Sequence, residues 1–137
     1  MKPVEASLDP RSVFAAVPFM KLLGVRREFS EGGRARLVLE SRPEFGNVIG
    51  AVHGGVIVTL LDVVMASAAV SRRNFERTAV TLNLDSSFIE PGRGELTADG
   101  EVLFHDDSIA WCRATVTDAD GRAVAVGHGS FRYLALP

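Results

Sequence analysis

One cysteine in 137 residues, Cys112, excludes an intrachain disulfide and suits a reducing compartment. A net charge of -2 leaves no basic footprint for nucleic acid. The opening MKPVEASLDP has no apolar core of the kind a secretory signal carries, so a cytoplasmic protein is expected. The longest apolar segment falls short of the roughly 20 residues that span a bilayer, and Asp62 interrupts it. The histidines, His53, His105 and His128, share no ligand spacing, and no metal is expected. The chain has no G-x-S-x-G elbow, no G-x-x-x-x-G-K-[ST] and no G-x-G-x-x-G opening a helix after a strand. Those absences remove the serine-esterase, P-loop and dinucleotide readings. Without a repeat, low-complexity run or long linker, residues 1–137 read as one domain, of which 1–18 form an N-terminal extension with a short helix.

What is present centres on Phe45 to Val70. A lead-in containing Gly46, Asn47 and Gly50 reaches His53-Gly54-Gly55. Val56 to Val70 then runs without Gly or Pro and is apolar on nearly every face, as a core helix is. The β-branched Val56 to Thr59 would also suit buried strands; the length and the Ala-rich end favour a helix. Upstream, residues 1–10 are expected to fray. Asp9 and Pro10 look like the N-cap and first residue of a helix through Ala16. Phe19, Leu22, Leu23 and Val25 lead into a strand ending near Ser30, Glu31-Gly32-Gly33 forms a hairpin turn, and Ala35, Leu37 and Leu39 alternate in a second strand. Downstream, strands are expected over Thr78–Ile89, Leu96–Phe104, Ile109–Thr117 and Ala123–Leu134, with Asp120-Gly121 as a turn. Two strands, a helix and four strands give an α+β chain in which a six-stranded, mostly antiparallel sheet curls around one helix.

The first amides of that helix lack intrahelical partners and carry partial positive charge. Gly54 and Gly55 would let a substrate oxygen approach them, as in an oxyanion hole, or they simply relieve crowding at the helix entrance. Asp62 lies about 12 Å further along the axis. That is too far for one helix to supply both oxyanion donor and base, whereas two antiparallel copies would bring Asp62 of one beside Gly54 of the other. The alternative is a structural carboxylate. His53 can be read as a base, a donor to a carbonyl or a helix-entry residue. Cys112, in an alternating strand, reads as packing.

Asn47, His53-Gly54-Gly55, Asp62, the pattern Thr81, Leu84, Phe88, Pro91, and the run Asp118 to Gly127 together resemble the hotdog-fold acyl-CoA thioesterases. The likeness is strongest to the branch that includes the phenylacetate-pathway thioesterases and thioesterase superfamily member 2, and it covers residues 20 to 134 in order. It implies a hotdog fold, a homodimer often paired into a homotetramer, an acyl-CoA or aryl-CoA substrate, no cofactor, and no nucleic-acid or membrane partner. It implies that the Gly54 amide polarises the thioester carbonyl and that Asp62 of the partner subunit is base or nucleophile. Asn47 would hold water or carbonyl, His53 would orient the substrate, and Thr81 would contact the attacking water. Gly55 and Arg93 would bind substrate or CoA. Many relatives carry a basic residue before the proline and a G-R or G-K pair in the next turn. This chain has Glu90 and His105-Asp106-Asp107 instead, which leaves Arg93 as the nearest candidate for the CoA phosphates. A hotdog hydratase or dehydratase, or a non-catalytic acyl-CoA-binding protein, are the alternatives.

Overall fold

The computed structural model describes residues 1–4 and 9–137. A 3₁₀ turn, Val13–Ala16, precedes helix α1, Pro18–Leu23. Strands β1 (Arg26–Glu31) and β2 (Arg34–Glu40) follow, then helix α2 (Gly54–Arg72). Strands β3 (Arg77–Phe88), β4 (Glu95–His105), β5 (Ile109–Thr117) and β6 (Ala123–Ala135) complete the chain. All neighbouring strands pair antiparallel in the order β1-β2-β4-β5-β6-β3, so β1 and β3 are the edges. This is a hotdog fold: a curved sheet around one long helix.

Alternation builds the concave face. Ala35, Leu37 and Leu39 of β2, Leu96 and Ala98 of β4, and Ala110, Cys112, Ala114 and Val116 of β5 are buried against Leu60, Leu61, Val64 and Met65 of α2. Each large side chain so buried contributes about 1.5–3 kcal/mol. The helix and sheet come close enough that a Cβ on Gly100 would stand 2.9 Å from the Val64 carbonyl oxygen, so glycine is required there. Polar contacts fix the far end of the helix. Ser71 donates to Ala68 O at 2.8 Å and accepts from the Gly33 amide at 3.0 Å, while the Tyr133 hydroxyl donates to Ala69 O at 2.8 Å. Asn74 and Phe75, both left-handed, end the helix, and the Phe75 amide returns to Val70 O.

The structure differs from the sequence reading in three places. Asp9 caps a turn, through Arg11 N and Ser12 N, and no helix begins at Pro10. Phe19, Leu22 and Leu23 belong to helix α1, which starts on Pro18 and stops at the left-handed Gly24. Helix α2 begins at Gly54, and it is not wrapped on every side. Gly55, Val58, Thr59, Asp62, Val63, Ala66 and Val70 share one helical face and are partly or fully exposed beside β3. The fraying expected over residues 1–10 falls partly on 5–8, outside the described residues.

Candidate functional site

The loop before α2 is held by its own polar groups. Asn47 Oδ1 accepts from the amides of Ile49 (3.1 Å) and Ala51 (3.0 Å), and the Asn47 amide donates to Ala51 O at 2.7 Å. Arg93 donates from its two terminal nitrogens to the carbonyls of Gly50 (3.0 Å) and Ile49 (3.2 Å). The His53 amide donates to Phe45 O at 2.6 Å, which sets the angle at which the chain enters the helix.

His53 is the N-cap. Its backbone is extended (φ -58, ψ 138) and its Nδ1 accepts from the Gly55 amide at 2.9 Å. An Nδ1 that accepts leaves the proton on Nε2, so the exposed edge of the imidazole is a donor. The Gly55 amide is thereby engaged within the chain. The Gly54 amide makes no hydrogen bond among the described residues, and it stands at the positive end of a 19-residue helix. The ring of Phe88 lies beside it: a Cβ on Gly54 would be 3.5 Å from Phe88 Cε1.

Asp62 sits on the open stripe of α2. The Thr81 hydroxyl donates to its Oδ1 at 2.6 Å, a charge-assisted bond that fixes one carboxylate oxygen and leaves the other clear. The structure therefore unites Asp62 with Thr81, and it groups Asn47, His53, Gly54, Gly55 and Arg93 at the helix N-terminus. It does not bring the two groups together within one chain, since eight residues of α2 separate Gly54 from Asp62. Phe88 beside Gly54 had no assigned role in the sequence reading; its signal was its place in the Phe88-to-Pro91 pattern. Cys112 is buried with its thiol pushed up to about 12 by desolvation, as a packing residue and not a nucleophile. His105 and His128 lie away from this site, and no metal-ligating cluster exists among the described residues.

Between the two groups runs the free edge of β3. Val80, Leu82 and Phe88 on this strand are 44%, 48% and 54% exposed. An edge of 12 residues with exposed apolar side chains is a surface built to pair. Helix α2 is long and apolar enough to cross a membrane by length and composition, but in this fold it is the core helix.

The fold is that of a hotdog protein, with a helix-N-terminal amide that is free among the described residues and a Thr81-held carboxylate eight residues further along α2. Residues 49–125 match the family model described as Thioesterase superfamily, and the chain belongs to that family. A Halobacterium salinarum relative named as a presumed esterase is 32% identical over 124 residues, covering 82% of this chain and 82% of that protein. A thioesterase family protein from Silicibacter pomeroyi superposes with a TM-score of 0.86 at 26% identity, covering 93% of this chain and 96% of the other. The E. coli PaaI protein from the phenylacetic acid degradation operon shares the fold, with a TM-score of 0.84 at 21% identity over 90% of this chain and 89% of that one. Thioester hydrolysis is the general chemistry of the family.

Proposed function

We propose that the chain hydrolyses an acyl-CoA or aryl-CoA thioester at a site shared by two copies. The observation that carries this reading is the free Gly54 amide and the Thr81-held Asp62, on one chain but about 12 Å apart, flanking an unpaired strand edge. Antiparallel pairing of two β3 edges, with the two-fold axis near Leu84 and Asp85, sets Thr81 of one copy opposite Phe88 of the other. Asp62 of each copy then faces Gly54 of its partner.

In that site water attacks the thioester carbonyl carbon while the free Asp62 carboxylate oxygen takes its proton. A C–O bond forms, and the carbonyl electron pair moves to oxygen beside the Gly54 amide, where the helix dipole favours the developing charge. The oxyanion collapses, the C–S bond breaks, and the proton passes from Asp62 to the departing thiolate. The products are the free acid and CoA. His53 Nε2–H and the Asn47 side-chain amide are donors for the substrate near Gly54. Thr81 is a positioning residue for Asp62. Arg93, with donors beyond those spent on Ile49 and Gly50, and Arg42 line a depression of about 530 Å³ beside this loop and receive the CoA phosphates.

A panel of acyl-CoA esters with free-thiol detection tests the reaction. Release of thiol from any of them supports it; tight binding of every ester without turnover identifies a binding protein. Arg93→Ala should raise KM for CoA esters and not for the matching pantetheine thioesters, which lack the nucleotide. An equal effect on both would remove Arg93 from phosphate binding.

A further inference from the structure

The open stripe of α2 continues past Asp62 through Val63, Ala66 and Val70 into a cavity of about 380 Å³. Phe14 and Met20 of the N-terminal segment and Phe75 after the helix line it. Ala79, two residues before Thr81 on β3, lines it as well, so the Asp62–Thr81 pair and the cavity share a wall. Val70 lies about 12 Å along the axis from Asp62, which sets the depth.

This cavity is mostly apolar, yet among the described residues its only charged lining residues are two arginines, Arg27 and Arg77. Neither forms an ion pair among the described residues, and Arg27 differs from the chain's other unpaired arginines in being half-buried against aromatic rings. The Arg27 guanidinium is partly buried with Phe14 at 5.0 Å and Phe75 at 5.6 Å from its centre, and it donates to the Arg11 carbonyl. Arg11 itself lies over Phe75 at 4.7 Å, adding a third cation to this end. Burial lowers the Arg27 pKa, as it does for a cation that has lost water, and no carboxylate among the described residues pairs with it. A desolvated charge in an apolar wall is costly until an opposite charge meets it.

We infer that the cavity takes the acyl group of the substrate, and that Arg27 receives a carboxylate at the far end of that group. The preferred substrates are thus CoA esters of dicarboxylic acids. The aromatic rings flank the guanidinium, and its remaining N–H groups offer the fork that a carboxylate accepts. A methyl-ended chain of the same length fills the walls but leaves the arginine with only the rings and the Arg11 carbonyl. This inference rests on the thioesterase reading above for its catalytic consequence.

The test compares octanoyl-CoA with its ω-carboxy counterpart, suberoyl-CoA, on the full chain. Wild-type kcat/KM should favour suberoyl-CoA by about 10–100-fold, the range of one charge-assisted pair. Arg27→Met should bring that ratio to about 1 or below, and Arg27→Lys should keep part of it. Calorimetry on Asp62→Asn should show the same preference in binding, without hydrolysis. Equal binding of the two esters by Asp62→Asn, or a wild-type ratio of 1 or less, overturns the inference, as does an unchanged ratio in a folded Arg27→Met. If wild type hydrolyses neither ester, the binding ratio still decides the role of Arg27, and the acyl-CoA panel decides the thioesterase reading separately. If Arg27→Met does not fold, the wild-type and Asp62→Asn ratios decide without it.

Discussion

Asp62 has two carboxylate oxygens, and the structure spends only one of them on the protein. The bond from Thr81 orients the group, while the second oxygen has no hydrogen bond among the described residues. Asp62→Asn keeps the shape and removes the base of the proposed mechanism, so kcat should fall by about 10²–10⁴-fold with CoA-ester binding retained. Steady-state kinetics with calorimetry checks this, and unchanged turnover would refute the assignment. Thr81→Ala removes only the orienting bond. Its expected effect is a loss on the order of tenfold in kcat with little change in KM, restored by Thr81→Ser. A similar local argument applies at Gly55, where a Cβ would lie 3.2 Å from His53 Nδ1. Gly55→Ala should displace the imidazole cap and weaken catalysis more than Gly54→Ala, whose new methyl meets only ordinary contact with Phe88. Equal activity of the two alanine variants would argue against His53 as an ordered donor. At Cys112, a thiol pushed up to about 12 stays protonated at neutral pH, so alkylation in the native protein should be far slower than in denaturant.

The elements differ in how openly the chain declares them. Over most of β2, β4 and β5 inward apolar residues alternate with outward polar ones, with Val38, Leu103, Phe104 and Trp111 as exceptions, and that period is visible without any tertiary information. Helix α2 is equally plain in its body, but its first turn is Gly54-Gly55, poor helix formers that the His53 cap and loop contacts hold in place. Helix α1 shows the opposite case. Six residues are too short for periodicity to speak, although Pro18 at the first helical position and Gly24 just past the end are the usual signals. The spacing of His53, Gly54, Gly55 and Asp62 was legible because the last three lie on one continuous helix and His53 caps it. That Gly55 is spoken for by His53, or that Phe88 lies beside Gly54, depends on backbone angles and on a strand 34 residues away, which local pattern does not encode. The tie between the β1–β2 turn and the helix was similarly hidden. Ser71→Ala would leave the Gly33 amide buried without its acceptor and should cost about 1–3 kcal/mol, measurable by chemical denaturation.

At the scale of the molecule, the open stripe of α2 lies beside the free edge of β3, and in the proposed mechanism a second copy covers both. Leu82→Lys places a charge on that edge and should shift the protein toward monomer and lower kcat/KM together, as followed by sedimentation and kinetics at matched concentrations. Dissociation with full activity would separate assembly from catalysis. The shared site itself is tested most directly by complementation. Gly54 is the first residue of α2 and His53 before it is already extended, so Gly54→Pro suits the local backbone and removes the amide hydrogen. Homodimers of Gly54→Pro and of Asp62→Asn should each be nearly inactive. Mixed under conditions that exchange subunits, they form heterodimers in which one site has an intact Gly54 from one chain and an intact Asp62 from the other. Activity per heterodimer should return toward half the wild-type value. No recovery, with exchange confirmed and the Gly54→Pro protein shown to be folded, would contradict a site built across two copies.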